Sequence, residues 1–316
     1  MNRSSTRISN RTSINLGTQI INQTRPMRFP IFVAITAITL QTSAQYGSFD
    51  AKAVATAKAN TTLVVLDDGN TSYNTAIMNA VKAEWKFTKS FDFINTADLA
   101  TQPIDPTKNY LMKILRRDAE KHDAVFLALI QGWKQKKGEA IEVTDGAAAN
   151  IPGTQEIASL MIDAKAVGSS NSAMLLPYVK HLQDFLKNVE SGKMKDKATA
   201  DRLYASRTRL IKDMDLWLAQ EHLDKTIPDA AKAKETYTKQ LQVMDLAQLM
   251  AAAEKGESGV AISDVVMTGD HKTKWCFKRI FNASTGELLY LRDDASLFDK
   301  KQGFISEDVR MLEQAR

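Results

Sequence analysis

A stretch of twelve residues occurs twice in this chain, and the repeat constrains the fold more than any other feature. Residues 88–99 read TKSFDFINTADL and residues 238–249 read TKQLQVMDLAQL, at a constant offset of 150 positions. Thr, Lys, Ala and Leu recur at identical places, and three apolar positions of the first copy stay apolar in the second. A repeat with so long a period indicates two similar modules rather than a solenoid of short units.

The elements around the two copies follow one order. An apolar run at 63–66 precedes the first copy and a run at 216–219 precedes the second, and both are typical of buried strands. A helix follows each run, at about 73–85 and 228–237. A second helix begins at the end of each copy, at 96–100, where it is short, and at 246–254. A strand pair follows each helix, at 110–115 with 124–130 and at 260–267 with 275–281.

Each half therefore has the predicted order β-α-β-α-β-β, which makes the chain an α/β (α+β) protein of two similar modules. The alternative is that two unrelated α/β modules share the pattern by chance. Two further strands are predicted in the first half, at 140–143 and 157–162, with a mobile loop at 146–153 between them.

A helical hairpin is predicted between the modules. Its first helix has apolar residues spaced four and three apart and ends at Ser191-Gly192. These apolar positions are Leu175, Val179, Leu182, Leu186 and Val189. Its second helix is expected at about 197–213, with Leu203, Leu210 and Ile211 facing inward. The predicted segments are a leader at 1–44, a flexible arm at 45–60, the first module at 61–170, the helical linker at 171–213 and the second module at 214–316.

The leader has the features of a secretory signal peptide. Met27-Arg28 precedes a largely apolar run at 29–40, and Thr42-Ser43-Ala44 supplies the small residues that signal peptidase requires. The run is too short to cross a membrane. Cleavage between Ala44 and Gln45 would leave 272 residues, so we expect a periplasmic or secreted protein. Residues 1–26 leave two explanations open: translation begins at Met27, or the stretch is a mitochondrial transit peptide.

The positive charge of the chain belongs to this leader. Residues 1–44 contain five arginines and no acidic residue. Without these five, the 42 basic residues of the chain fall to 37, equal to the 37 acidic ones. The sequence pI near 9.0 therefore does not indicate nucleic-acid binding, because the folded body carries no excess positive charge to attract phosphate.

Two carboxylates follow the first predicted strand, in the sequence Asp67-Asp68-Gly69. Ligands of α/β sheets bind at the carboxyl ends of strands, and paired carboxylates there can hold a cation. The same residues are also typical of a strand-to-helix turn without a function, and the second half has Gln220-Glu221 at the matching place. Trp133, which precedes Lys134, is the tryptophan expected to be most exposed and is a further candidate for ligand contact.

No residue pattern indicates a metal, a cofactor or a known type of catalytic site. The four histidines, expected at the surface or on helix faces, lack the spacing of metal ligands; they are His122, His181, His222 and His271. The sequence contains no nucleophile elbow, phosphate loop or dinucleotide fingerprint. The single cysteine, Cys276, lies in a predicted strand, where a buried apolar role is expected.

The order β-α-β-α-β-β with a closing helix is similar to the thioredoxin-like arrangement. The resemblance covers element order only. The redox motif of that arrangement needs two cysteines near the first helix, and residues 70–74 contain none. Disulfide exchange is therefore excluded, and no specific family is identified.

The functional prediction is an exported, non-catalytic binding or interaction protein of the cell envelope, with a protein or peptide partner. Its ligand is expected in a cleft between the modules, because pockets form preferentially at domain interfaces. The alternative is an envelope hydrolase or metal-dependent enzyme that uses Asp67 and Asp68; a third possibility is a purely structural role. No cofactor, nucleic-acid partner or integral membrane span is expected.

Overall fold

The first half of the chain forms a mixed sheet with helices around it. The computed structural model describes residues 46–69, 71–117, 123–269, 273–297 and 301–315. The strands are β1 (Thr61–Leu66), β2 (Phe91–Asn95), β3 (Lys108–Arg117), β4 (Asp123–Gln131), β5 (Glu142–Thr144), β6 (Ala147–Ala149) and β7 (Glu156–Ile162). The helices are α1 (Ala51–Ala59), α2 (Ser72–Glu84), α3 (Thr96–Thr101) and α4 (Ala164–Val167). The strand order is β2-β1-β3-β4-β7, and the β5–β6 hairpin joins β3 through β6.

Two helices lead into the second half, which forms its own sheet. They are α5 (Leu175–Glu190) and α6 (Lys197–Arg207), and a 3₁₀ helix over Thr208–Asp213 follows. The strands are β8 (Asp215–Ala219), β9 (Leu241–Met244), β10 (Val260–Gly269), β11 (Thr273–Asn282) and β12 (Leu288–Leu297), in the order β12-β11-β10-β8-β9. The remaining helices are α7 (Ala230–Lys234), α8 (Leu246–Lys255) and α9 (Ser306–Gln314).

The two sheets have the same strand order and the same strand directions. In each half the first strand lies parallel to its two neighbours, and two antiparallel strands extend the sheet on one side. The predicted β-α-β-α-β-β order is confirmed in both halves. One further antiparallel strand completes each sheet: β7, which corresponds to the strand predicted at 157–162, and β12. The protein is an α+β fold with two mixed sheets. The shared arrangement supports the repeat, while an origin by duplication stays a prediction.

The halves share their core, because apolar side chains of both sheets pack together. One apolar cluster contains Leu160 of the first sheet, Leu182 of α5 and Ile262 of the second sheet. A second cluster joins Phe126 of the first sheet to Phe277 of the second. The described residues belong to one compact unit. The segment predicted as a linker is therefore part of the core, because α5 packs against α1, α2 and β7.

The apolar stripe predicted for α5 is confirmed, since all five of its residues are buried. The second helix is shorter than predicted: α6 ends at Arg207. The following 3₁₀ turn buries Ile211 but leaves Leu210 exposed, so the inward position predicted for Leu210 is wrong. The side chains of a 3₁₀ helix advance by three residues per turn, which alters the face that each one occupies.

The segment predicted as a flexible arm is ordered where the structure describes it. Tyr46 is buried, and its hydroxyl donates a hydrogen bond to Asp201 over 2.6 Å. Ser48 donates its N–H to the Ile157 carbonyl of β7 at 3.0 Å. Gly47 lies so close to β7 that an added Cβ would come within 2.2 Å of the same carbonyl oxygen. The polar, alanine-rich composition of this segment concealed these tertiary contacts.

A buried ionic network connects the halves along β7, the edge strand of the first sheet. Arg279 of β11 is fully buried; its Nε donates to Asp264 Oδ2 at 2.7 Å and its Nη1 to the Met161 carbonyl of β7 at 2.7 Å. The hydroxyl of Tyr178 donates to Asp264 Oδ1 at 2.9 Å. Sheet edges with unpaired carbonyls attract other strands, and Arg279 satisfies one of these carbonyls.

The stability of the fold is expected to fall as pH decreases from 6.5 to about 4. His181 is fully buried on α5, and burial lowers its pKa from 6.5 to about 4. The imidazole therefore stays neutral in the folded chain over a range in which the unfolded chain binds a proton. The stabilisation is complete above pH 6.5 and is lost as pH falls towards 4, by up to about 3 kcal/mol.

Urea unfolding at several pH values measures this loss. The His181→Gln variant should flatten the pH dependence between pH 6.5 and 4, because its side chain does not titrate. Burial also lowers the pKa of His222, which should leave a smaller residual slope of the same sign. An unchanged slope in the variant would contradict the assignment to His181.

None of the helices within the described residues combines the length and apolar character that crossing a bilayer requires.

Candidate functional site

A pocket of about 420 Å³ opens where β1 of the first sheet ends. We call it the Asp67 pocket. Three carboxylates, two threonine hydroxyls and four small or apolar residues line it: Asp67, Asp68, Asp145, Thr71, Thr96, Ala97, Ala100, Val143 and Gly146. The predicted position at the carboxyl end of β1 is thus occupied by a pocket, and the two carboxylates singled out in the sequence both face it.

The loop from β1 to α2 is fixed by the buried side chain of Asn74. Its Oδ1 accepts a hydrogen bond from the Asp67 N–H at 2.8 Å, and its Nδ2 donates to the carbonyls of Asp67 at 2.9 Å and Gly69 at 2.7 Å. Thr71 caps α2 by accepting from the Asn74 N–H at 3.1 Å. The backbone that presents both carboxylates is therefore held from α2.

A buried lysine lies beneath the pocket and neutralises one carboxylate. Lys113 of β3 is 6% exposed, and its Nζ donates to Asp67 Oδ2 at 2.8 Å and lies 2.7 Å from Oδ1. The same ammonium stands 4.4 Å from the ring centroid of Tyr73, a cation–π distance. Burial, with the Asp67 charge nearby, raises the pKa of Tyr73, so the phenol stays neutral and the Lys113–Asp67 pair is the charged floor of the site.

The other two carboxylates are exposed, and no cation pairs with them among the described residues. Asp68 accepts a hydrogen bond from the Thr96 hydroxyl at 2.7 Å. Asp145 stands at the tip of the β5–β6 hairpin. Both side chains border one open space, so the pocket has an excess of negative charge.

Asp145 stands in the β5–β6 hairpin, and the loop predicted over 146–153 is in part a strand, because Ala147–Ala149 form β6. Asp145 (φ 49°) and Gly146 (φ 72°) both take the left-handed conformation, as the two central residues of a type I′ turn do. β6 bonds to β3 at Ile114, which places the turn over the end of β1. The Asp-Gly pair is the sequence signal that would have identified this hairpin.

Gly146 is required by close packing as well as by its backbone conformation. A Cβ at this position would lie 2.6 Å from Asp67 Oδ1 and 2.9 Å from Lys113 Nζ. The hairpin tip therefore rests directly on the Lys113–Asp67 pair and forms one wall of the Asp67 pocket.

The third candidate from the sequence does not belong to this pocket. Trp133 is only 9% exposed and packs in the second apolar cluster beside Ile104 and Ile141. The expectation that it is exposed is wrong, because the turn after β4 folds its ring inward. Its burial removes it as a surface for ligand contact.

The matching place in the second half is built differently. A 3₁₀ helix over Gln220–His222 follows β8, and His222 is buried with its Nδ1 2.9 Å from the Ser263 hydroxyl. The Gln220 amide donates to the Pro228 carbonyl at 2.9 Å. This end of β8 is thus closed by internal hydrogen bonds.

The other titratable residues weighed in the sequence do not form a second site. His181 is buried on helix α5, one of the helix-face positions expected; His222 is buried rather than at the surface, and His122 and His271 lie outside the described residues. Cys276 is buried, and burial raises its pKa to about 12, which keeps the thiol protonated. Within the described ranges, no group of three or more His, Cys, Asp or Glu side chains is arranged to hold a metal ion.

Comparison of the chain with protein-family profiles, curated proteins and solved structures gave no significant match. The functional assignment therefore depends on the chemistry of the site.

Proposed function

We propose that this chain is an exported, non-catalytic binding protein, and that the Asp67 pocket holds a cationic side chain of a protein or peptide partner. The supporting observation is the charge of the pocket. Lys113 compensates Asp67, whereas Asp68 and Asp145 contribute two further carboxylates at its border. A ligand that supplies a positive charge would be attracted by this excess.

The size of the pocket suits such a ligand. Ligand pockets commonly enclose roughly 300–1,000 Å³, and the Asp67 pocket, at about 420 Å³, has room for one long side chain. Apolar wall residues such as Val143 and Ala100 can contact the aliphatic part of a lysine or arginine, while the carboxylates bind its charged end.

The side chains of the pocket favour binding over catalysis. Its lining contains no His, Cys or Ser, the commonest bases and nucleophiles; the carboxylates and threonines that line it serve these roles less often. The Thr71 hydroxyl caps a helix and the Thr96 hydroxyl is bonded to Asp68. The alternative, a hydrolase or metal-dependent enzyme using Asp67 and Asp68, requires a cation to displace Lys113 from Asp67.

A titration with two matched peptides tests the proposal. A short peptide with one free lysine should bind, and the same peptide with acetyl-lysine should not, because acetylation removes the charge. The double variant Asp68→Asn, Asp145→Asn should weaken binding by about tenfold, since each exposed charge pair contributes a few tenths to 1 kcal/mol. Asp213→Asn, an exposed acid in the 3₁₀ turn before β8, is the control.

Two results would contradict this function. Equal affinity for the free and acetylated peptides would show that charge does not determine binding. A divalent cation that raises the melting temperature of the wild type but not of Asp67→Ala would favour the metal-dependent alternative.

Export is the second part of the proposal. The leader lies outside the described residues, and its support is the charged start, short apolar run and small-residue exit in the sequence. N-terminal sequencing of the protein from fractionated cells should give Gln45 in the periplasm or the medium. A start before Met27, or retention inside the cell, would contradict export.

A further inference from the structure

The outer edge of the second sheet differs from the equivalent edge of the first. β2 and β9 are the edge strands, each beside the first strand of its half. Thr62 donates its N–H to Ser90 O, and Leu216 donates its N–H to Gln240 O. Successive residues of a strand alternate in direction, so Phe93 and Asn95 of β2 and Leu241 and Val243 of β9 direct their backbone groups away from the sheet.

In β2 the outward N–H groups are blocked by the chain itself. Asp92 Oδ1 accepts from the Phe93 N–H at 2.8 Å, and Asp98 Oδ2 accepts from the Asn95 N–H at 3.3 Å. Side chains that satisfy an edge protect it against pairing with another strand. The first sheet is therefore closed on this side.

In β9 the blocking acids are replaced by glutamines. The repeat places Gln242 where the first copy has Asp92, and Gln248 where it has Asp98. Among the described residues, no side chain bonds to the outward N–H of Leu241 or Val243. Gln242 is exposed and Val243 is partly exposed, so this edge is open to a further strand.

We propose that β9 pairs antiparallel with β9 of a second copy of this chain, with Gln242 opposite Gln242 of that copy. In this register Leu241 lies opposite Val243, and the two outward residues of each strand form four backbone hydrogen bonds. Lys239, which is exposed, then lies opposite Asp245, also exposed, at both ends of the pair. A shift of the register in either direction places Lys239 opposite an uncharged residue. The Lys239–Asp245 pairs therefore favour the proposed register over the neighbouring ones.

The pairing would be isologous, because β9 of each copy meets the same strand of the other copy across a two-fold axis.

Cysteine cross-linking tests the register. Directly opposed residues that do not share hydrogen bonds have Cα atoms about 4.5 Å apart, within disulfide range. Gln242→Cys should form a disulfide-linked dimer under mild oxidation. Gln240→Cys, exposed on the same face but opposite Met244, should not. The native Cys276 is buried and serves as an internal blank in the wild type.

Light scattering of the wild-type chain should give twice the monomer mass, and Lys239→Glu should raise the dimer dissociation constant at least tenfold. A monomer at all concentrations would overturn the proposal, as would equal cross-linking of the two cysteine variants. Both cysteine positions are exposed, and unchanged melting curves exclude misfolding as the cause of either result. The outcome is independent of peptide binding at the Asp67 pocket.

Discussion

Replacing Arg279 with methionine should lower the free energy of unfolding by about 3–5 kcal/mol, because it leaves a buried charge without its partner. Arg279 and Asp264 are both buried, with their closest atoms 2.5 Å apart. The substitution would also remove the donor to the Met161 carbonyl of β7. Tyr178 would still donate to Asp264 but carries no charge to balance the carboxylate.

Urea unfolding measures this loss as the difference in free energy of unfolding between the wild type and Arg279→Met, with Lys58→Met as the control variant. Lys58 forms an exposed pair with Glu190, so its loss should change stability by less than about 1 kcal/mol. Adding Asp264→Leu to Arg279→Met should recover part of the loss, since an apolar replacement removes the unpaired charge. A loss as small as that of Lys58→Met would show that the network does not hold the two halves together.

Lys278→Met should be about as destabilising, by roughly 3–5 kcal/mol, for the same physical reason. Lys278 is fully buried on β11 and pairs with Asp294 and with Asp308, the latter at 2.6 Å. Asp308 is also fully buried, at the start of α9, and accepts from the Tyr290 hydroxyl at 2.7 Å. Without the lysine, the two carboxylates keep only the longer contacts of Arg292, 3.4 Å from Asp308 and 3.6 Å from Asp294, and of Lys301, 3.3 Å from Asp294, so their mutual repulsion is only partly balanced.

Strand β12 of the second sheet and helix α9 should lose their structure first in this variant. Hydrogen exchange would therefore increase in α9 and β12 before the first sheet is affected. Lys232→Met, which removes an exposed pair with Glu235, is the matched control. Uniform exchange across both sheets would contradict a local role for the Lys278 cluster.

Elements with local sequence signals were predictable, and long-range pairings were not. The apolar spacing of α5 and the repeated order of strands are patterns of residues close together in the sequence, and the structure confirms both. Tyr46, in contrast, is fixed by Asp201 more than a hundred residues away. No periodic pattern in the segment around Tyr46 indicates that contact, so its polar composition suggested flexibility instead.

The site was predictable in position but not in composition. Asp67 and Asp68 directly follow the first predicted strand, and this position at a strand end identified them as candidates. The burial of Lys113 follows from the position of β3 within the sheet, which the sequence does not show. Asp145 reaches the site through the β5–β6 hairpin, whose second strand was predicted as part of a loop. The charge of the pocket depends on both residues, which sequence spacing alone does not bring together.

Nuclear magnetic resonance titration of the isotope-labelled protein with the lysine peptide tests ligand entry at the Asp67 pocket most directly. The backbone amides of Ala97, Asp145 and Gly146 should shift with peptide concentration, and the acetyl-lysine peptide should leave them unchanged. Shifts confined to other surfaces, or equal shifts with both peptides, would contradict binding of a cationic side chain at this pocket.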